Sequence, residues 1–145
     1  MLRVRRLQLW LRLFEPPQGR GAMTAASRAT TGPPRPRVEL LWFHDCPNHP
    51  AARALLDELL GALAPGATVD EIDATDPAVA QRHRFPGSPT IRIDGRDVDP
   101  SFQDPGDYTP RCRLYRTSAG LGGLPERGWI EAAIVESLDR GGRSS

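Results

Sequence analysis

The stretch from Leu40 to Pro50 constrains the fold of this 145-residue chain more than any other. Its first four residues are apolar and run into a polar turn, which carries Cys46 directly before a proline. Apolar residues then recur at helical spacing from Ala52 to Leu63, which predicts an amphipathic helix. Several thiol enzymes present their sulfur where a strand enters a helix, because the amino-terminal end of the helix dipole favours a thiolate.

Charge divides the chain into a basic and an acidic part, although the net charge is only +1. Residues 1–37 carry eight arginines and one acid, a net +7, while residues 38–145 carry eleven arginines and seventeen acids, a net −6. The basic part is rich in Pro, Gly, Ser and Thr, so we expect residues 1–37 to be a disordered tail. The acidic part is expected to fold, and its charge argues against nucleic acid as a partner.

Residues 1–14 are basic and apolar, which leaves a targeting peptide or a membrane-surface helix as alternatives to a disordered tail. A secretory signal is a poor match, because Arg12 interrupts the apolar run and no small-residue cleavage site follows closely. An upstream start codon, with Met23 as the working initiator, is a further alternative. The chain has no run of eighteen apolar residues, so we expect neither a membrane span nor a membrane partner.

The order of apolar patterns predicts an α/β fold that begins at Val38. Strands are predicted over residues 38–43, 68–72, 90–93 and 112–115, and helices from 47 or 50 to 64, from 76 to 83 and from 129 to 138. The first strand has too little alternation for a one-faced strand and suits a central strand that is buried on both faces. Strands that alternate with helices favour a sheet with helices on both faces, with parallel right-handed first crossovers and a final antiparallel hairpin.

Glycine and proline mark the predicted boundaries between these elements. Asp76-Pro77 predicts a capped helix start, and Asp94-Gly95 predicts a hairpin turn after the third strand. Residues 97–110 are expected to form a long loop, Gly120–Gly123 a turn, and Gly141-Gly142 the end of the last helix. The folded domain is therefore expected over residues 38–140, with residues 141–145 as a second disordered tail.

This element order, with a cysteine after the first strand and Gly87-Ser88-Pro89-Thr90 before the third, resembles the thioredoxin-like superfamily. Phe-His-Asp-Cys-Pro-Asn, Gly-Ser-Pro-Thr-Ile-Arg-Ile-Asp-Gly and Cys-Arg-Leu-Tyr-Arg are similar to stretches in small bacterial thioredoxin family proteins, a group sometimes labelled alkylmercury-lyase-related. The resemblance covers about Val38 to Leu138. It implies a central mixed four-stranded sheet with helices on both faces. We also expect a cytoplasmic location and no cofactor. The resemblance also implies a cis bond before Pro89, with that proline facing Cys46 across the active site.

The motif departs from the dithiol members of that superfamily at one position. They carry C-x-x-C, whereas this chain reads Cys46-Pro47-Asn48-His49. The second cysteine of C-x-x-C resolves the mixed disulfide, and here only Cys112 is available for that role, provided that the fold brings it near. Two cysteines are too few for a disulfide framework, and they either pair or remain free thiols in a reducing compartment.

The candidate catalytic residues are Cys46, Cys112, His49 and Pro89. We expect Cys46 to attack a disulfide, a sulfenic acid or another soft electrophile, on a protein or a small molecule. His49, together with His44, is expected either to polarise the sulfur or simply to lie on the surface. Pro89 is expected to line the groove and to expose the backbone of the preceding serine to an extended substrate.

Two alternatives to thiol-disulfide chemistry remain open at this point. Cys46 and Cys112 together would suit a soft metal such as mercury or Cu(I), or an organomercurial, because thiolates are soft ligands. A non-catalytic thioredoxin-like scaffold is the other alternative, since fold alone does not establish activity. In that case Cys46 is a structural cysteine at a helix cap and Cys112 packs as a small hydrophobic residue.

Overall fold

A mixed four-stranded sheet organises residues 35–143, the part of the chain that the computed structural model describes. Its strands are β1 (Val38–Trp42), β2 (Val69–Asp73), β3 (Thr90–Ile93) and β4 (Arg96–Asp97), in the order β2-β1-β3-β4. A separate antiparallel hairpin is formed by β5 (Tyr115–Thr117) and β6 (Gly120–Gly122). The helices are α1 (His49–Leu63), α2 (Pro77–Arg82) and α3 (Arg127–Arg143). Most of the predicted basic tail, residues 1–34, lies outside the described residues.

The strand β1 lies inside the sheet, between β2 and β3, as its mostly apolar sequence predicts. It pairs in parallel with β2, where Leu41 faces Ile72, and antiparallel with β3, where Leu41 faces Thr90. Leu40 and Leu41 point to opposite faces and are both fully buried.

The first connection joins the parallel strands β1 and β2, as predicted. The second connection, from β2 to β3, was also predicted to join parallel strands, and this prediction is wrong. The six residues of α2 rise only about 9 Å, whereas the five residues of β2 extend about 16 Å. The helix is therefore too short to carry the chain back along the sheet. Consequently β3 starts at the end where β2 finishes and runs antiparallel to β1.

Helices cover both faces of the sheet, as predicted. On one face, α1 and α3 pack on the sheet through a buried cluster that includes Val38, Leu40, Leu56, Leu59, Ile91, Ile93, Ile130 and Ile134. On the other face, Leu41 packs with Ala74, Ala80 and Phe85 on and around α2. The predicted start of α2 is confirmed, because the side chain of Asp76 accepts a hydrogen bond from the N–H of Ala78 at 2.7 Å.

The predicted hairpin turn is confirmed, but the strand after it is not the expected one. Asp94 and Gly95 have φ angles of +54° and +83°, which closes a tight turn directly into β4. Residues 112–115 were expected to supply the returning strand. Only Tyr115 of these is in a strand, and that strand pairs with residues 120–122 rather than with the central sheet. The glycine-rich turn predicted at residues 120–123 is therefore largely strand β6.

The helix α3 extends further than the sequence predicts. It starts at Arg127 and continues through Gly141-Gly142 to Arg143, so residues 141–143 are not part of a disordered tail. Glycine lowers helix propensity by about 1 kcal/mol but does not forbid a helix. The last turns are also tied to the turn after β3, because Arg140 donates a 2.7 Å hydrogen bond to Asp94. Among residues 35–143, no helix is long and apolar enough to cross a membrane.

Two glycines provide a test of how the loop before β3 is built. Gly87 has a φ angle of +132°, and a Cβ there would lie 2.9 Å from the Cβ of Arg113, whereas Gly61 in α1 has open space around it. We predict that Gly87→Ala lowers the free energy of unfolding by about 2 kcal/mol or more, from backbone strain and overlap. Gly61→Ala should instead raise it by about 0.5–1 kcal/mol through helix propensity. Urea unfolding measures both, and equal effects would contradict this account.

Candidate active site

Cys46 lies in the turn between β1 and α1, and its N–H donates to the carbonyl oxygen of Phe43 at 3.0 Å. The helix begins at His49 with Asn48 as its N-cap. Of the two starts that the sequence leaves open, the one near Pro50 is therefore correct, and the alternative with Cys46 as the cap is wrong. Pro50 takes the second helical position, where a missing N–H breaks no helical hydrogen bond, and this sets the later start. Cys46 is free and only 7% exposed.

The register of the sheet brings the Cys46 turn and Pro89 to the same end. Leu41, near the end of β1, pairs with Thr90, the first residue of β3. Because the two strands are antiparallel, the chain after Trp42 and the chain before Thr90 leave the sheet at the same end of the strands. The Ser88–Pro89 bond is cis, as the resemblance implies.

Cys112 joins this end of the sheet through an isolated bridge to Ser88. The N–H of Ser88 donates to the carbonyl of Arg111 at 2.8 Å, and the N–H of Arg113 donates to the carbonyl of Ser88 at 2.9 Å. Cys112 itself is exposed and free. The fold therefore brings both cysteines to the same end of the sheet. Cys46 lies in the turn after β1, and Cys112 is bridged to the loop before β3.

This bridge overturns one expectation about Pro89. Both main-chain hydrogen-bonding groups of Ser88 are engaged by residues 111–113, so they are not open to an extended substrate. The side chain of Ser88 is also fully buried, and its Oγ has no hydrogen-bond partner among the described residues. The prediction that Pro89 exposes the backbone of Ser88 is therefore wrong, because the chain itself fills that position.

A buried ion pair holds the 111–113 segment in place. The guanidinium of Arg113 donates two hydrogen bonds to Asp97, at 2.7 and 3.0 Å, and one to the hydroxyl of Thr90 at 2.9 Å. The side chains of Arg113 and Asp97 are only 9% and 5% exposed. Burial acts to lower the pKa of Arg113, but the hydrogen bonds to Asp97, together with the attraction of the surrounding negative charge, outweigh it and the pKa is raised. The sequence did not predict this pair, because Asp97 falls at the start of the long loop that was expected over residues 97–110.

Two aromatic rings complete the surroundings of that guanidinium. Its central carbon lies 4.2 Å from the ring centroid of Tyr115 and 5.1 Å from that of Phe102, within the range of cation–π contacts. The hydroxyl of Tyr115 donates to the carbonyl of Pro89 at 2.5 Å. Burial raises the pKa of Tyr115, so the phenol stays protonated and remains the donor of this bond.

Both histidines next to Cys46 are paired with carboxylates of β2. Nε2 of His44 lies 2.7 Å from Asp73, and Nε2 of His49 lies 2.8 Å from Glu71. The ring of His49 also stacks on Trp42, with 4.1 Å between ring centroids. His49 therefore ties the first turn of α1 to the edge of the sheet, a contact between distant parts of the chain that local sequence patterns do not encode.

These carboxylates are held in their charged form. The Thr75 hydroxyl, with His44 beside it, lowers the pKa of Asp73. Burial acts to raise the pKa of Glu71, but hydrogen bonds from His49 and Arg53 lower it further than burial raises it. Charged carboxylates accept hydrogen bonds strongly, so both imidazoles are held at β2.

The residues suited to binding metal do not cluster. Within residues 35–143, no group of three or more His, Cys, Asp and Glu side chains is arranged to hold an ion. A metal role for Cys46 and Cys112 therefore depends on those two thiols alone. Comparison of the chain with protein-family models and with curated proteins finds no match.

The Arg113–Asp97 pair can be tested by its effect on stability. Arg113→Met leaves a buried carboxylate without its partner, and we predict a loss of about 3–5 kcal/mol in the free energy of unfolding. Arg127→Met is the matched control, because Arg127 pairs with Glu58 on the surface and should cost less than about 1 kcal/mol. Denaturant unfolding checks both, and similar losses in the two variants would contradict the assigned role.

Proposed function

We propose that this protein is a thioredoxin-like thiol-disulfide oxidoreductase in which Cys46 is the nucleophile and Cys112 the resolving thiol. The observation that carries the proposal is the attachment of both free cysteines to one end of the sheet. Leu41 pairs with Thr90, which joins the turn of Cys46 to the loop of Ser88, and Ser88 bridges Cys112. The two cysteines are 66 positions apart in the sequence, so the tertiary fold and not local structure brings them to the same end of the sheet.

The proposed reaction has two steps that balance. The Cys46 thiolate attacks one sulfur of a disulfide RSSR, forms the mixed disulfide Cys46–S–S–R and releases RS⁻, which takes up a proton. The Cys112 thiolate then attacks Cys46, forms the Cys46–Cys112 disulfide and releases the second RSH. The substrate disulfide gains two electrons and two protons, and the protein dithiol loses them. An external thiol returns the protein to its reduced form.

The other candidate site residues act through position in this proposal. His49 holds the first turn of α1 against β2 through Glu71 and Trp42, and so it fixes the turn that carries the sulfur. Pro89 accepts the hydrogen bond of Tyr115 and thereby fixes the loop that bridges Cys112. Free thiols persist in a reducing compartment, so we propose a cytoplasmic location.

The proposal predicts different outcomes for the two cysteine variants. Cys46→Ser should lose reduction of 2-hydroxyethyl disulfide by at least about 100-fold, because serine is not a nucleophile at neutral pH. Cys112→Ser should still release one thiol per protein but should stop at the mixed disulfide on Cys46. Stopped-flow thiol release and intact mass distinguish these outcomes. Full activity in Cys46→Ser would contradict the proposal, whereas no activity in the unaltered protein would favour a scaffold.

A second candidate function is the binding of a soft metal ion or an organomercurial. The observation in its favour is that both free thiols belong to segments at the same end of the sheet, because two thiolates are sufficient ligands for a soft ion such as Hg²⁺ or Cu⁺. It predicts one Hg²⁺ per protein, with tight binding lost in both Cys46→Ser and Cys112→Ser. Titration followed by ultraviolet thiolate absorption measures this, and binding that survives Cys46→Ser would exclude a shared site.

A further inference from the structure

We propose that this thiol site acts on small disulfides and excludes extended polypeptides, because the 111–113 segment permanently occupies the strand-docking position beside Pro89. This inference rests on the proposed function and adds its substrate class. An extended peptide binds the edge of a strand by exchanging main-chain hydrogen bonds with it. Access to such an edge next to Cys46 therefore decides whether a polypeptide disulfide can be aligned for attack.

The main-chain groups that a peptide would need are already used. Ser88 donates its N–H to Arg111 and accepts from the N–H of Arg113, on either side of Cys112. The strand β1, which leads to Cys46, pairs with β2 on one side and with β3 on the other. A peptide strand that approaches Cys46 thus meets no free main-chain edge at either β1 or Ser88.

The occupying segment is held too firmly to be displaced by a peptide. Moving it would pull Arg113 away from Asp97, Thr90 and the rings of Tyr115 and Phe102, and would leave a buried carboxylate unpaired. The approach of the segment to the loop is also close, since Gly87 has no room for a Cβ on that side. Two peptide hydrogen bonds in exchange for two existing ones do not offset that loss.

The exposure of the two sulfurs points to the same substrate class. Cys46 is only 7% exposed, so little of the residue is open to a substrate, whereas Cys112 is exposed to solvent. A disulfide on two or three flexible bonds can align its sulfurs in line with Cys46, but a disulfide flanked by ordered main chain cannot. We therefore assign low-molecular-weight disulfides as the substrates.

The experiment compares two substrates with the same reacting bond, in a Cys112→Ser background that isolates attack by Cys46. One is the mixed disulfide of 2-nitro-5-thiobenzoate with N-acetylcysteine amide. The other carries the same mixed disulfide at the central cysteine of an extended ten-residue peptide. Release of the coloured thiol gives both rates, and free glutathione supplies the reference ratio for unhindered attack.

We expect the ratio of the peptide rate to the small-substrate rate to fall about tenfold below the glutathione reference. A ratio at or above the reference would overturn the substrate class while leaving the proposed function intact. Failure of both substrates would instead overturn the proposed function. The variant Arg113→Ala with Asp97→Asn releases the segment without leaving the Asp97 carboxylate unpaired, and it should raise the ratio towards the reference. Arg127→Ala, at a surface ion pair, should leave the ratio unchanged.

Hydrogen exchange tests the same inference without a variant that has to fold. In the native protein, the amide protons of Ser88 and Arg113 should exchange as slowly as those of β3, because displacing the segment requires breaking the buried ion pair. Rapid exchange at both amides, at the rate of the exposed loop, would overturn the claim that the docking position is permanently filled. An unchanged rate ratio in the folded double variant would overturn it as well.

Discussion

The ion pair between Arg113 and Asp97 is the interaction on which the architecture of the site depends. Its charges are desolvated, and two hydrogen bonds of 2.7 and 3.0 Å join them. A buried ion pair contributes little net stability, but removing one partner strongly destabilises the fold because the other charge stays buried and unpaired. The two side chains are therefore held close together. Through Thr90 and Tyr115, the same guanidinium fixes the start of β3 and the carbonyl of Pro89.

The rest of the site follows from where the strands end. Because β1 and β2 are parallel and β3 is antiparallel to both, the first two strands finish and the third strand starts at the same end of the sheet. The Cys46 turn is held there on the β2 side, since the N–H of His44 donates to the Thr75 hydroxyl at 3.0 Å and His49 contacts Glu71. The loop before β3 is held on the opposite side by Arg113. The turn that carries Cys46 is thus supported on the β2 side, and the loop that carries Pro89 is supported by Arg113.

Patterns over short stretches of sequence were sufficient for the features that local chemistry determines. The strand, helix, cap and turn predicted from local patterns all appear as expected: β1, α1, the Asp76-Pro77 helix start and the Asp94-Gly95 turn. Contacts between distant residues could not be read in this way. The bridge from Ser88 to Cys112 and the pair of Arg113 with Asp97 join residues 24 and 16 positions apart through a loop without periodicity. For the same reason, the sequence did not show that residues 112–115 stay out of the central sheet. Only Tyr115 of these is in a strand, and that strand belongs to the separate hairpin.

The most direct test is to map which sulfur reacts when the reduced wild-type protein meets one equivalent of 2-hydroxyethyl disulfide. Exposure alone favours modification of Cys112, because Cys46 is buried. Attack by Cys46 followed by resolution predicts instead a disulfide between Cys46 and Cys112, detected by peptide mapping under non-reducing conditions, with two thiols released. A protein that carries the small thiol on Cys112 while Cys46 remains reduced would contradict the account.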